Sequence, residues 1–176
     1  MKRMVRGKLC GMDDWIKQVA GEIKKQQEAE QQAREAAANR QASLSERVRS
    51  DGHAVVMKIA EQVEEGLKRF EAEYGPLGAH FQRIPNGFRI DKSDYPSVQV
   101  KLELNLLAGN VSCEWVAAMS SGVPLRMEEA TYSFSLSGKD LRLSAPDQRS
   151  GDTFADYVLR KFIREAFPRA HSAHLL

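Results

Sequence analysis

The sequence predicts an α+β fold: an antiparallel meander sheet of about five or six strands, covered on one face by two helices, with a charged N-terminal helical extension. Three observations predict it. Between Ser97 and Leu106, Val98, Val100, Leu102, Leu104 and Leu106 alternate with Gln99, Lys101, Glu103 and Asn105. After the turn residues Ala108-Gly109-Asn110, Val111, Cys113, Trp115 and Ala117 alternate in the same way with polar neighbours, so the two runs form a hairpin with one wet and one dry face. Apolar residues at steps of three and four then flank this hairpin, at Val55–Tyr74 on one side and Phe154–Phe167 on the other, as two amphipathic helices.

Length and composition suit one domain with an appendage. The chain has 176 residues, 42% hydrophobic and 28% charged, with net charge +2. That charge is too small to require a polyanionic partner. Cys10 and Cys113 lie far apart in different segments, so no disulfide framework is expected, and Cys113 reads as a small core residue. No run approaches the roughly 20 apolar residues that span a bilayer. Met1–Gly11 is basic without a signal-type apolar core. A compact cytoplasmic protein of bacterial type is the resulting expectation.

Residues 1–11 read as a disordered basic leader, with Met12 as a candidate initiator. Residues 12–43 form the helical arm, opened by Asp13-Asp14. Trp15, Ile16, Val19 and Ile23 give it a short apolar face, after which only small, polar and charged side chains follow to Ser43. Ala29, Ala33 and Ala36 lie near a heptad seam that would support a weak coiled coil. The domain proper covers residues 44–168. Ser43-Leu44-Ser45-Glu46 resembles a capping box and Ser50-Asp51-Gly52 a second start, so a new helix is expected from one of them, with a break near Gly52. Val55, Val56, Ile59, Val63, Leu67, Phe70 and Tyr74 share one face by steps of three and four, and Gly75-Pro76 ends the helix.

Short strands at Ala79–Ile84 and Phe88–Asp91 flank Pro85-Asn86-Gly87, a hairpin signal. Met119–Glu128 reads as a long surface connection. Thr131–Ser137 is a strand with Tyr132, Phe134 and Leu136 facing in, and Leu141 and Leu143 mark a short last one. Asp152 or Thr153 caps the final helix, Pro168 stops it, and residues 169–176 form a flexible tail.

No catalytic or ligand motif stands out, and no cofactor or metal is expected. His171 and His174 lack the partners that a metal site needs. Nothing joins His53 to Cys113 or to a serine. Glu61, Glu64 and Glu65 read as a solvated face, and no phosphate-binding glycine motif occurs. The outer sheet face, with Gln99, Lys101, Glu103, Asn105, Ser112, Glu114, Ser133, Ser135, Arg142 and Ser144, lacks the aromatics of an RNA platform. Nucleic-acid binding is therefore disfavoured, with Arg160, Lys161, Arg164 and Arg169 its only support besides the leader. Membrane-surface binding through Trp15, Ile16, Val19 and Ile23 is disfavoured by Asp13, Asp14 and Glu22.

The favoured reading is a non-enzymatic protein that associates with a protein partner or with itself through the N-terminal helix. Trp15, Ile16, Val19, Ile23, Ala29, Ala33 and Ala36 would be the contact residues. The alternative is a small-molecule-binding or catalytic domain with a pocket between sheet and helices, lined by Cys113, Trp115, Tyr132 and Tyr157.

Overall fold

The structure, a computed structural model, describes residues 10–118, 126–145, 149 and 151–167, with side chains from Trp15 onward. The leader up to residue 9, most of the connection after Met119, the stop at Pro168 and the tail with Arg169, His171 and His174 lie outside the described residues. Helix α1 spans Cys10–Tyr74. Six strands follow: β1 (Ala79–Ile84), β2 (Gly87–Lys92), β3 (Ser97–Asn105), β4 (Asn110–Ala118), β5 (Arg126–Ser137) and β6 (Asp140–Leu143). Helix α2 (Phe154–Ala166) closes the chain order. The chain divides between Ser43 and Leu44 into two compact units.

The sheet is a pure meander, each strand antiparallel to the next in sequence. The β3–β4 register pairs Val98 with Ala117, Val100 with Trp115, Leu102 with Cys113 and Leu104 with Val111. The dry sides of both strands therefore coincide, as a period of two requires. Residues 44–74 of α1 and all of α2 cover that side. Val56, Ala60, Val63, Val158 and Phe162 are buried in one cluster with Phe88, Ile90 and the β3–β4 apolar row. At Gly66 the two helices approach closely, because a Cβ there would lie 2.4 Å from Leu159 Cδ2. Burying each such apolar side chain contributes about 1.5–3 kcal/mol, so this single inner face accounts for most of the domain's stability.

Four expectations are corrected. Helix α1 has no break at Ser43 or Gly52. Two of the expected capping side chains are engaged otherwise: Ser50 Oγ donates to the Arg47 carbonyl (3.2 Å), and Asp51 pairs with Arg47 at 2.8 Å. Val48 and the half-buried Leu44 meanwhile dock this turn on the core. Gly52 is buried, with Val48 and Phe134 3.4 and 3.7 Å from where its Cβ would be, so it serves close packing instead of a turn. The helix also begins at Cys10, ahead of Asp13-Asp14. Strand β5 starts at Arg126, inside the expected loop, because Arg126–Ala130 continue the ladder opposite Cys113–Ala117. Leu136 and Leu106 are exposed, the first at the sheet corner near the Gly138 turn, the second in the β3–β4 turn.

Helix α2 is capped by Thr153. Its Oγ1 accepts from Asp156 N (3.1 Å), while Thr153 N donates back to Asp156 Oδ2 (2.8 Å), a complete capping box. Lys92 is the one buried charged residue among the described residues. Its ammonium donates to the carbonyls of Asp94 (2.6 Å) and Pro96 (3.0 Å), which ties the β2–β3 loop to the sheet.

Candidate functional site

Two regions hold the residues singled out above. The first is the part of α1 that precedes Leu44. It is helical throughout, yet among the described residues from Trp15 to Ser43 only Val19 is as much as half-buried. Trp15, Ile16 and Ile23 are exposed at 62%, 50% and 51%, and Ala29, Ala33 and Ala36 also face solvent. The helix here rests on propensity and on neighbours one turn away. Gln18 donates to Glu22 (3.2 Å), Gln26 to Glu30 (3.4 Å) and Gln31 to Glu35 (3.0 Å), and Lys24 pairs with Glu28 at 3.9 Å. Such contacts contribute about 0.2–0.5 kcal/mol each. Polar bonding thus holds the backbone in shape and leaves the apolar residues unpartnered within their unit.

The second region lies where α2 crosses β4 and β5, and it brings Cys113, Trp115, Tyr132 and Tyr157 together. Cys113, Trp115 and Tyr132 are buried and Tyr157 is half-buried. The hydroxyls of Tyr132 and Tyr157 are 3.2 Å apart, and the Tyr132 ring meets Phe154 edge-on at 4.9 Å. Burial, then the bond to Tyr157, pushes the Tyr132 hydroxyl up. Burial likewise pushes the Cys113 thiol up to about 12, against the opposing pull of Lys161 and the Trp115 N–H. A thiol held neutral in this way is a poor nucleophile. Trp115 Nε1 is buried without a hydrogen-bond partner of ordinary geometry. These residues pack against one another as core, and Tyr157 borders an opening on the α2 side.

That opening belongs to residues that the sequence scattered. Lys161 Nζ sits over the Trp115 ring, 4.4 Å from its centroid, and pairs with Glu128 at 2.6 Å. Arg126 reaches the same carboxylate at 3.5 Å. Arg160 is tied to Asp152. With Tyr157, Arg149, Arg164 and Glu165 they surround a hollow of about 360 Å³. The α2 residues among them follow from helical spacing, since 157, 160, 161, 164 and 165 share a face. Arg126 and Glu128 share the inner face of β5 by strand alternation. The sequence groups Arg160, Lys161 and Arg164 but not Arg126, Glu128 and Arg149, which lie far along the chain and meet them only through the fold; Glu165, next to Arg164 on the same helix, could have been read from helical spacing. A second opening, a groove of about 860 Å³, runs between residues 47–62 of α1, β6 and the start of α2. Among the described residues no group of histidine, cysteine and carboxylate side chains could hold a metal ion, and no helix is long and apolar enough to cross a membrane.

No family model, no curated protein sequence and no solved structure matches this chain.

Proposed function

We propose that the protein works by self-association through the segment of α1 before Leu44, with a second copy of the same segment as its partner. The observation that carries this reading is the solvent exposure of Trp15, Ile16 and Ile23 on a segment of α1 that, from Trp15 to Ser43, has no buried side chain of its own. Covering such residues gains about 1.5–3 kcal/mol each, more than any of the polar contacts that shape the helix. The spacing supports the choice of occupant. Trp15, Val19, Glu22, Gln26, Ala29, Ala33 and Ala36 follow the alternating steps of four and three that make a coiled-coil seam. The seam is bulky at its start and small at its end. An antiparallel pair with its two-fold axis near Lys24 sets Trp15 against Ala33 and Val19 against Ala29, so large side chains fill the space above small ones. Each copy then offers the same surface, as a closed two-fold contact requires.

The test is sedimentation of the full chain over a range of concentrations, alongside Trp15→Glu and Ala33→Glu. A mass that rises toward the dimer in the parent and stays monomeric in both variants is expected. A monomer at every concentration, or a dimer indifferent to both charges, refutes the reading. A dimer lost with Trp15→Glu but kept with Ala33→Glu refutes the antiparallel register.

A further inference from the structure

We propose that the hollow between the start of β5 and the exposed face of α2 is a binding site for a small phosphorylated compound. Five cationic side chains, Arg126, Arg149, Arg160, Lys161 and Arg164, face two carboxylates, Glu128 and Glu165, across about 360 Å³. The anchored members of the set give the site its form. Lys161 is held from two sides, by Glu128 and by the Trp115 ring, and Asp152 holds Arg160. The guanidiniums of Arg149 and Arg164 have no ion pair or hydrogen bond among the described residues, and Arg126 has only its long contact with Glu128. Three planar, always-charged groups with open donors therefore converge from three segments of chain on one concavity. A guanidinium matches the oxygens of a phosphate two at a time, and three of them suit a group that carries two charges.

The size of the hollow selects a small compound over a nucleic acid. Its volume lies in the range of small-ligand sites. A nucleic acid needs a basic track with stacking platforms along it, and here Trp115 is buried beneath Lys161 while Tyr157 alone borders the opening. Tyr157 supplies a neutral hydroxyl that can donate to a phosphate oxygen or border an organic group. Glu165 lines the same wall, and burial, opposed by Lys161 and Arg126, raises its carboxyl from the ordinary value.

The experiment is calorimetric titration of the full chain with inorganic phosphate and with pyrophosphate, at constant ionic strength. Saturable binding of one equivalent is expected, weakened at least about tenfold in Arg164→Gln and again in Arg149→Gln, the factor that one charge-assisted hydrogen bond carries. Lys139→Gln, on the distant β5–β6 turn, should bind as the parent does, and Glu165→Gln should bind at least as tightly at pH 8. Both arginines are exposed, and circular dichroism checks that the variants fold. Absence of saturable heat, or equal weakening by Lys139→Gln, overturns the proposal. So does a single-stranded oligonucleotide that binds more tightly than pyrophosphate with a steep salt dependence, since that result would mark an extended polyanion surface.

Discussion

Replacing Gly87 with alanine tests how closely β2 is sewn to β3. An added Cβ would lie 1.8 Å from the Leu102 carbonyl oxygen, 2.8 Å from its carbon and 3.1 Å from Glu103 Cα. All three are backbone atoms of the neighbouring strand, so no rotamer change relieves the clash. Gly87 pairs with Glu103, and the adjoining Leu104 N–H donates to the Asn86 carbonyl at 2.8 Å. Overpacking a core that can yield costs about 1–3 kcal/mol. Here the end of the hairpin must also part from β3, with loss of about two backbone bonds at about 1 kcal/mol each. A destabilisation of about 3–4 kcal/mol follows, a large share of the roughly 5–15 kcal/mol that holds a typical domain, with Tm lower by about 10 °C or more. Urea unfolding followed by Trp115 fluorescence measures it, in a Trp15→Phe background that leaves only the buried indole. Two controls separate sterics from loss of glycine as such. Gly109→Ala, at φ +66° with open space around it, should cost only about 1–2 kcal/mol. Gly21→Ala, in the exposed helix with nothing near it, should leave the domain transition unmoved. If Gly87→Ala unfolds within 1 kcal/mol of its parent, the close approach of β2 to β3 is wrong.

Two further outcomes follow from the same geometry. Thr153→Ala removes the acceptor for Asp156 N and the Oγ1–H bond to Asp156 Oδ2, while the backbone N–H of residue 153 still donates to that carboxylate, and should lower domain stability by about 1 kcal/mol; a denaturation midpoint equal to the parent's would show that the Thr153 side chain does not anchor α2. In a Cys10→Ser background, Cys113 should resist iodoacetamide at pH 8 until the chain is unfolded in urea. Its thiol is pushed from 9.0 to about 12 by burial, so between those values the folded chain keeps a proton that the unfolded chain releases. Stability should then fall as pH rises through this window, by up to about 1.4 kcal/mol per pH unit, and Cys113→Ala should flatten that slope. Rapid labelling of the folded protein, or an unchanged slope in the alanine variant, contradicts the buried neutral thiol.

The candidate regions differ in how far the chain itself disclosed them. The exposed face of α1 could be read directly, because Trp15, Ile16, Val19 and Ile23 are near neighbours and local spacing alone puts them on one side of a helix. The basic hollow was half-visible: Arg160, Lys161 and Arg164 fall within five residues of one another, but Arg126 and Arg149 meet them only through the fold. Grouping Cys113, Trp115, Tyr132 and Tyr157 by their apolar faces did locate them in one place. Whether that place is empty or filled depends on side chains from other elements, and here Phe154, Val158 and Phe162 of α2 occupy it.

The α+β class, the meander and the inward residues of β3, β4 and α2 were legible in the chain because each follows from a short-range period, two for a strand and 3.6 for a helix. The turns between them announced themselves through residues with special backbone freedom. Tertiary structure alone decided where periods gave way to competition. Ser43, Ser50, Asp51 and Gly52 carry the local marks of a helix start, yet α1 runs through them, because Leu44 and Val48 gain burial against the domain while Arg47 holds Asp51 away from the backbone. The beginning of β5 at Arg126 was likewise set by the partner strand, whose open edge extended the ladder into a stretch with weak alternation of its own. Local preferences amount to a few tenths to about 1 kcal/mol per residue. Burying one large side chain exceeds them, so the fold overrules the sequence signal wherever the two disagree.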